Sequence, residues 1–117
     1  MKKVLVIEDD LNTIEIMDYL IQGNGFEVIK SLSLLTVDEI TRIQPDVIMI
    51  DYYMPGGKGD ELCAQLKADS QTKAIPLILM STHSDLQDIS KECHADAYLS
   101  KPFGIDTVAS MLTRLAN

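Results

Sequence analysis

The sequence predicts an α/β fold, a five-stranded parallel sheet with helices packed on both of its faces. Five short segments rich in β-branched residues punctuate the chain: Val4 to Ile7, Glu27 to Ile29, Val47 to Ile50, Leu77 to Met80 and Ala97 to Leu99. Three of them are apolar throughout rather than alternating, as strands covered on both faces are. Between them lie stretches with apolar residues at helical spacing, and a strand–helix alternation requires parallel strands joined by right-handed crossovers. The 117 residues hold one domain, residues 1–117, with no linker or low-complexity stretch inside it.

The first strand, Val4 to Ile7, leads into a helix whose buried stripe is Ile14, Met17 and Ile21. Asp10 or Asn12 is placed to cap that helix, and Gly23 and Gly25 end it before the second strand. A shorter second helix stops at Gln44-Pro45-Asp46, because the residue before a proline is pushed out of helical geometry. The third helix carries Leu62 and Leu66, four apart. The segment from Ser84 to Cys93 leaves room for only a brief or irregular fourth helix. The last helix shows Ile105, Val108, Leu112 and Leu115 on one stripe, with Asp106 in its first turn, where a carboxylate favours the helix dipole.

Composition excludes several functions. At 46% hydrophobic and 24% charged the chain builds a packed core rather than a disordered segment. A net charge of −8 argues against binding nucleic acid, which needs Lys and Arg to displace counterions. The apolar runs are too short to span a bilayer, and Met1-Lys2-Lys3 is followed too soon by acid to begin a signal peptide. The expectation is a cytoplasmic protein with no membrane attachment. Cys63 and Cys93 have no C-x-x-C spacing and read as buried, inert thiols.

In open parallel sheets, ligands bind outside the carboxyl ends of the strands. The residues at those ends carry chemistry: Glu8-Asp9-Asp10 after the first strand, Asp51 after the third, Ser81-Thr82 after the fourth, and Lys101-Pro102 after the fifth. Taken alone, the acidic triplet is explained equally well by a solvated turn. Together these groups suit one phosphoryl group. Carboxylates make a hard oxygen site for Mg²⁺. One carboxylate serves as nucleophile, and an amine and a hydroxyl hold the remaining phosphoryl oxygens.

Over essentially its whole length the chain resembles the receiver domain of two-component response regulators. The matching pieces are Val4-Leu5-Val6-Ile7-Glu8-Asp9-Asp10, the run from Asp46 through Asp51 to Gly59, Pro76-Leu77-Ile78-Leu79-Met80-Ser81, and Ala97-Tyr98-Leu99-Ser100-Lys101-Pro102-Phe103. The resemblance implies a flavodoxin-like, doubly wound fold with strand order 2-1-3-4-5. It implies that Asp51 is phosphorylated, that Asp9 ligates Mg²⁺ directly with Glu8 as its outer acidic partner, and that the Tyr53 carbonyl completes the metal set. Ser81 matches the switch hydroxyl, Lys101 the lysine that pairs with the phosphoryl group, and Tyr98 the aromatic switch, although Tyr98 reads equally as a half-buried core aromatic. The Lys101–Pro102 bond is expected to be cis. Tyr53 and His83 flank the path of the water that would remove the phosphoryl group; His83 also reads as a plain exposed residue. Asp10 is a helix-entry residue rather than a ligand.

The implied partners are a sensor histidine kinase or a histidine phosphotransfer protein and a downstream target protein. The implied behaviour is that of a switch, monomeric or dimerising on phosphorylation, rather than a turnover enzyme. A phosphohydrolase of the haloacid dehalogenase type wants a second aspartate two residues after the nucleophile, where this chain has Tyr53; a Toprim-like enzyme fails on the same absence of Asp-x-Asp. A degenerate receiver serving only as a scaffold is disfavoured by the intact Glu8, Asp9, Asp51, Ser81 and Lys101. The bulky Tyr52–Tyr53 pair and the permissive Gly56-Gly57 loop depart from the family's usual pattern. With the last helix reaching Asn117, output is expected through protein contacts, unless the chain is a piece of a longer protein.

Overall fold

A computed structural model describes residues 1–116. The elements are β1 (Lys3–Ile7), α1 (Leu11–Gly23), β2 (Glu27–Ser31), α2 (Val37–Ile43), β3 (Val47–Asp51), α3 (Gly59–Ala68), β4 (Leu77–Ser81), α4 (Leu86–Glu92), β5 (Ala97–Ser100) and α5 (Ile105–Leu115). The five strands form one sheet in the order β2-β1-β3-β4-β5, and every neighbouring pair is parallel. All five expected strands are present. Each runs one or two residues past its expected limits, because backbone pairing continues after the apolar pattern ends.

Two cores explain why the central strands read as unbroken apolar runs. Leu5, Ile7, Ile48, Ile50, Leu77 and Leu79 point to one face and pack with Ile40 of α2, Leu62 and Leu66 of α3 and Leu86 of α4. Val4, Val6, Val47, Met49, Ile78 and Met80 point to the other and pack with Ile14, Met17 and Ile21 of α1 and Val108 and Leu112 of α5. Successive side chains alternate between the faces, and both faces are covered, so neither set can be polar. The edge strands β2 and β5 are only partly buried. The α5 stripe departs from expectation at its start. Ile105 is the first residue of the helix and is 61% exposed, so burial begins one turn later, at Val108.

The helix ends follow local chemistry. Asp10 caps α1, its carboxylate accepting from the Thr13 amide at 2.9 Å and the Thr13 hydroxyl at 2.6 Å. Thr36 and Glu39 form a reciprocal capping box at the start of α2, and Gln44 closes that helix in the left-handed region. α4 is short, as expected, and has no side-chain cap. A two-residue antiparallel ribbon, Tyr53–Met54 against Gly57–Lys58, lies between β3 and α3. The sequence pattern did not foretell it; its turn uses Gly56 at φ +83°, which glycine adopts without strain. Gly59 is required for space, since a Cβ there would lie 2.8 Å from Ile50 Cγ2 and closer still to the Asp51 carbonyl oxygen. No described helix is long and apolar enough to cross a membrane. α5 runs to Leu115; the expected helix end at Asn117 lies outside the described residues.

Candidate functional site

Strand order brings the chemistry together. β1 and β3 are neighbours, so Glu8 and Asp9, just past β1, lie beside Asp51 at the end of β3. One oxygen from each of Glu8, Asp9 and Asp51 falls within 4.8 Å of the others. Lys101 arrives from beyond β5, anchored by its amide donating to the Ser81 carbonyl at 2.8 Å. Its Nζ donates to Asp51 Oδ2 at 2.8 Å and also to Glu8 Oε1. The Lys101–Pro102 bond is cis, as the resemblance implied. Backbone amides fix the remaining carboxylate oxygens: Asp10 N donates to Glu8 Oε2 at 3.2 Å, and Tyr53 N to Asp51 Oδ1 at 3.2 Å.

The cluster carries more negative charge than its one ammonium balances. Glu8 is fully buried and Asp51 nearly so, while Asp9 faces solvent. Burial, and then hydrogen bonding with Asp51, push the Glu8 carboxyl from its usual 4.5 to about 7, against the pull of Lys101. For Lys101 burial opposes the charge, but hydrogen bonds to Asp51 and Glu8 outweigh it and raise its value. A buried carboxyl that tends to keep its proton beside a lysine marks a site short of positive charge. The donors are all hard oxygens, the set that Mg²⁺ takes, so the residues present fit that ion.

Ser81 is buried at the end of β4, and its Oγ accepts from the His83 amide at 3.0 Å. His83 Nδ1 in turn accepts from the Asp85 amide at 3.0 Å. The His83 ring lies 5.6 Å from Tyr52, edge-on, and stacks 6.2 Å from Tyr53. Tyr52 is buried and Tyr53 is 51% exposed, and the three rings pack against one another beside the ends of β3 and β4. Tyr98 stands apart on β5, 40% exposed, opposite Leu79. Sequence reading missed the outer face of α1, where Ile16 and Tyr19 are exposed. The available signal was two apolar side chains off the Ile14–Met17–Ile21 stripe. A groove lined by Thr13, Ile16, Met17, Thr82, Lys101, Pro102 and Phe103 runs between this face and the cluster.

A five-stranded parallel sheet of this order, with carboxylates and an amine gathered at its strand ends, is the arrangement of the receiver domains of signalling proteins. The model of the response regulator receiver domain matches residues 4–113, and the chain belongs to that family. It is 30% identical over 105 residues to the phosphate regulon transcriptional regulatory protein PhoB of Escherichia coli, covering 87% of this chain and 46% of that one. The chain thus spans about half the length of the curated relatives it matches. Among solved structures, the signal receiver domain of a signal transduction histidine kinase from Syntrophus aciditrophicus superposes with a TM-score of 0.84 at 30% identity, covering 99% of this chain and 90% of that one. The Vibrio cholerae chemotaxis protein CheY4 superposes at 0.85 with 25% identity, covering 98% of each chain.

Proposed function

We propose that this chain is a phosphoacceptor switch: Asp51 takes a phosphoryl group from a phosphohistidine on a sensor kinase or phosphotransfer protein, and the change alters the chain's affinity for a target protein. The observation that carries this reading is the Lys101 ammonium joined to two carboxylates, Glu8 and Asp51, delivered by separate strand ends with Asp9 beside them. Glu8, Asp9, Asp51 and the Tyr53 carbonyl are the groups that would hold Mg²⁺, which when bound would offset the negative charge of Asp51 and of the incoming phosphoryl group.

The donor docks beside α1, where Ile16 and Tyr19 are exposed next to the groove leading to Lys101. An Asp51 carboxylate oxygen attacks phosphorus as the phosphorus–nitrogen bond breaks. Lys101 keeps its contact with the site throughout and neutralises the product. The Ser81 hydroxyl leaves the His83 amide and donates to a phosphoryl oxygen. Space freed by that movement lets Tyr98 turn inward, which changes the surface of α4, β5 and α5. Tyr53 and His83, stacked at the rim, govern how readily water reaches the aspartyl phosphate.

Acetyl phosphate with Mg²⁺ is expected to add one phosphoryl group by intact-mass analysis, and Asp51→Asn to abolish the gain. Equal labelling of the Asn variant would remove Asp51 from its role. Ser81→Ala is expected to be labelled but to lose the change in target affinity, and Tyr53→Ala or His83→Ala to alter the rate at which the label is lost.

A further inference from the structure

Cys63 lies on α3 and Cys93 caps the end of α4. They are 30 positions apart in sequence, yet the Cys63 thiol donates to the Cys93 carbonyl oxygen at 3.3 Å. The Cys93 thiol donates to the Ser90 carbonyl at 3.6 Å. Both side chains are buried, and both thiols are free. The Cys63 sulfur thus lies against the backbone of Cys93, and a modest approach of α3 and α4 brings the two sulfurs to bonding distance.

The surroundings are not those of a sealed apolar core. Asp60 Oδ1 and Ser90 Oγ, on the same two helices, are buried without a hydrogen-bond partner. Unpartnered polar atoms weaken an interface. α4 itself has seven residues and no side-chain cap, so its first turn is held without a side-chain hydrogen bond. Cys93, at the end of the short helix and the less deeply buried of the two, is the sulfur that an oxidant reaches first.

We propose that Cys63 and Cys93 form a reversible two-electron redox site, in which a peroxide oxidant converts the two thiols to a disulfide that ties α4 to α3. The Cys93 thiolate attacks one peroxide oxygen; the O–O bond breaks and the departing hydroxide is protonated to water. The Cys63 thiol then gives up its proton and attacks the sulfenic sulfur; the S–O bond breaks and a second water leaves. Two thiols and one hydrogen peroxide become one disulfide and two waters. A dithiol reductant reverses the change by exchange. α4 begins just past the Ser81–His83 turn, so the bond restrains the segment that connects the strand-end cluster to the surface of α4 and β5.

The test uses the full chain, reduced, then treated with hydrogen peroxide in native buffer, quenched with an alkylating agent and unfolded. The expected result is an intact mass lower by two hydrogens, no alkylation of either cysteine, and a peptide linking Cys63 to Cys93, all reversed by dithiothreitol. The oxidised chain should unfold at a higher temperature, and amides of α4 should exchange more slowly. Cys63→Ala should instead keep oxygen on Cys93 with no internal link; if that variant does not fold, the wild-type peptide map decides alone. Both thiols still alkylated, oxygen added without a link, or a link only between copies would overturn the proposal. Asp51→Asn is expected to form the same disulfide, so failure of the phosphoacceptor reading would leave this one standing, and the reverse.

Discussion

Lys67 and Lys101 are both largely buried, both paired with carboxylates, and they mean different things. Lys67, near the end of α3, donates to the carbonyls of Lys73 at 3.1 Å and Ile75 at 2.8 Å and to Asp96 Oδ2 at 2.5 Å. One ammonium thus meets one carboxylate and two carbonyls, and Asp96 also accepts from the Leu77 amide at 2.8 Å. The ammonium has three acceptors and one opposite charge, so its hydrogen bonds and its charge both close. Lys101 has two buried carboxylates to itself and a third beside them. The closed pair clamps α3 to β4 and to the turn before β5. The open cluster retains an unmet demand for positive charge, and unmet demand is what a binding site is made of.

The largest expected effect comes from removing the cation at the open site. Lys101→Met should leave Glu8 and Asp51 buried with no counter-charge, costing about 3 kcal/mol of stability near pH 8 by urea unfolding. The deficit should shrink on acidification, as the carboxylates take up protons. A deficit that stays constant with pH would show that the cluster is not charge-frustrated.

Next is the pH dependence of the native protein without divalent ions. Glu8 is raised from 4.5 to about 7 in the folded state, so between those values the folded chain holds a proton that the unfolded chain has released. Stability should therefore fall as pH rises through that window, by about 2–3 kcal/mol from this group. Asp10, Asp18 and Glu39 are lowered instead, and their contributions are lost only as pH drops below the ordinary carboxylate range. Lys101, being raised, contributes stability that is present below its usual 10.5 and is lost at more alkaline pH. Millimolar Mg²⁺ should flatten the Glu8 slope; a slope unchanged by Mg²⁺ and by Glu8→Gln would detach it from this site.

At the closed pair, Lys67→Met should cost about 2 kcal/mol by stranding two carbonyls and Asp96. It should do so at every pH from 5 to 8 and leave phosphoryl labelling of the folded chain intact. The finest contrast is one chemical change made twice. Asp96→Asn should destabilise by about 0.5–1 kcal/mol, since it discharges a balanced and half-exposed pair. Glu8→Gln should stabilise the metal-free chain, since it relieves a crowded one. Equal signs for the two substitutions, measured by thermal unfolding, would erase the distinction between the lysines.

The open site was legible in the sequence and the closed pair was not. Glu8, Asp9, Asp51, Ser81 and Lys101 each follow an apolar strand, and a parallel sheet must bring such positions to one edge. Nothing local marks Lys67 as the partner of Asp96. The Tyr53–Met54 ribbon, the exposure of Ile105 and the stacking of Tyr53 on His83 were likewise hidden, because each depends on how far one element reaches past another. The reading of Cys63 and Cys93 as buried holds, but their spacing gave no sign that they touch.

By itself the sequence determined the alternation of strands and helices, a cap at Asp10 or Asn12, the helix stop at Gln44-Pro45-Asp46, and which residues stand at the strand ends, because periodicity and capping are settled within a few residues of chain. Only the tertiary structure decided which of those ends are neighbours, how deeply Glu8 is buried, and that one amine must serve two carboxylates. Burial and charge balance are sums over groups from distant parts of the chain, and no local pattern contains them.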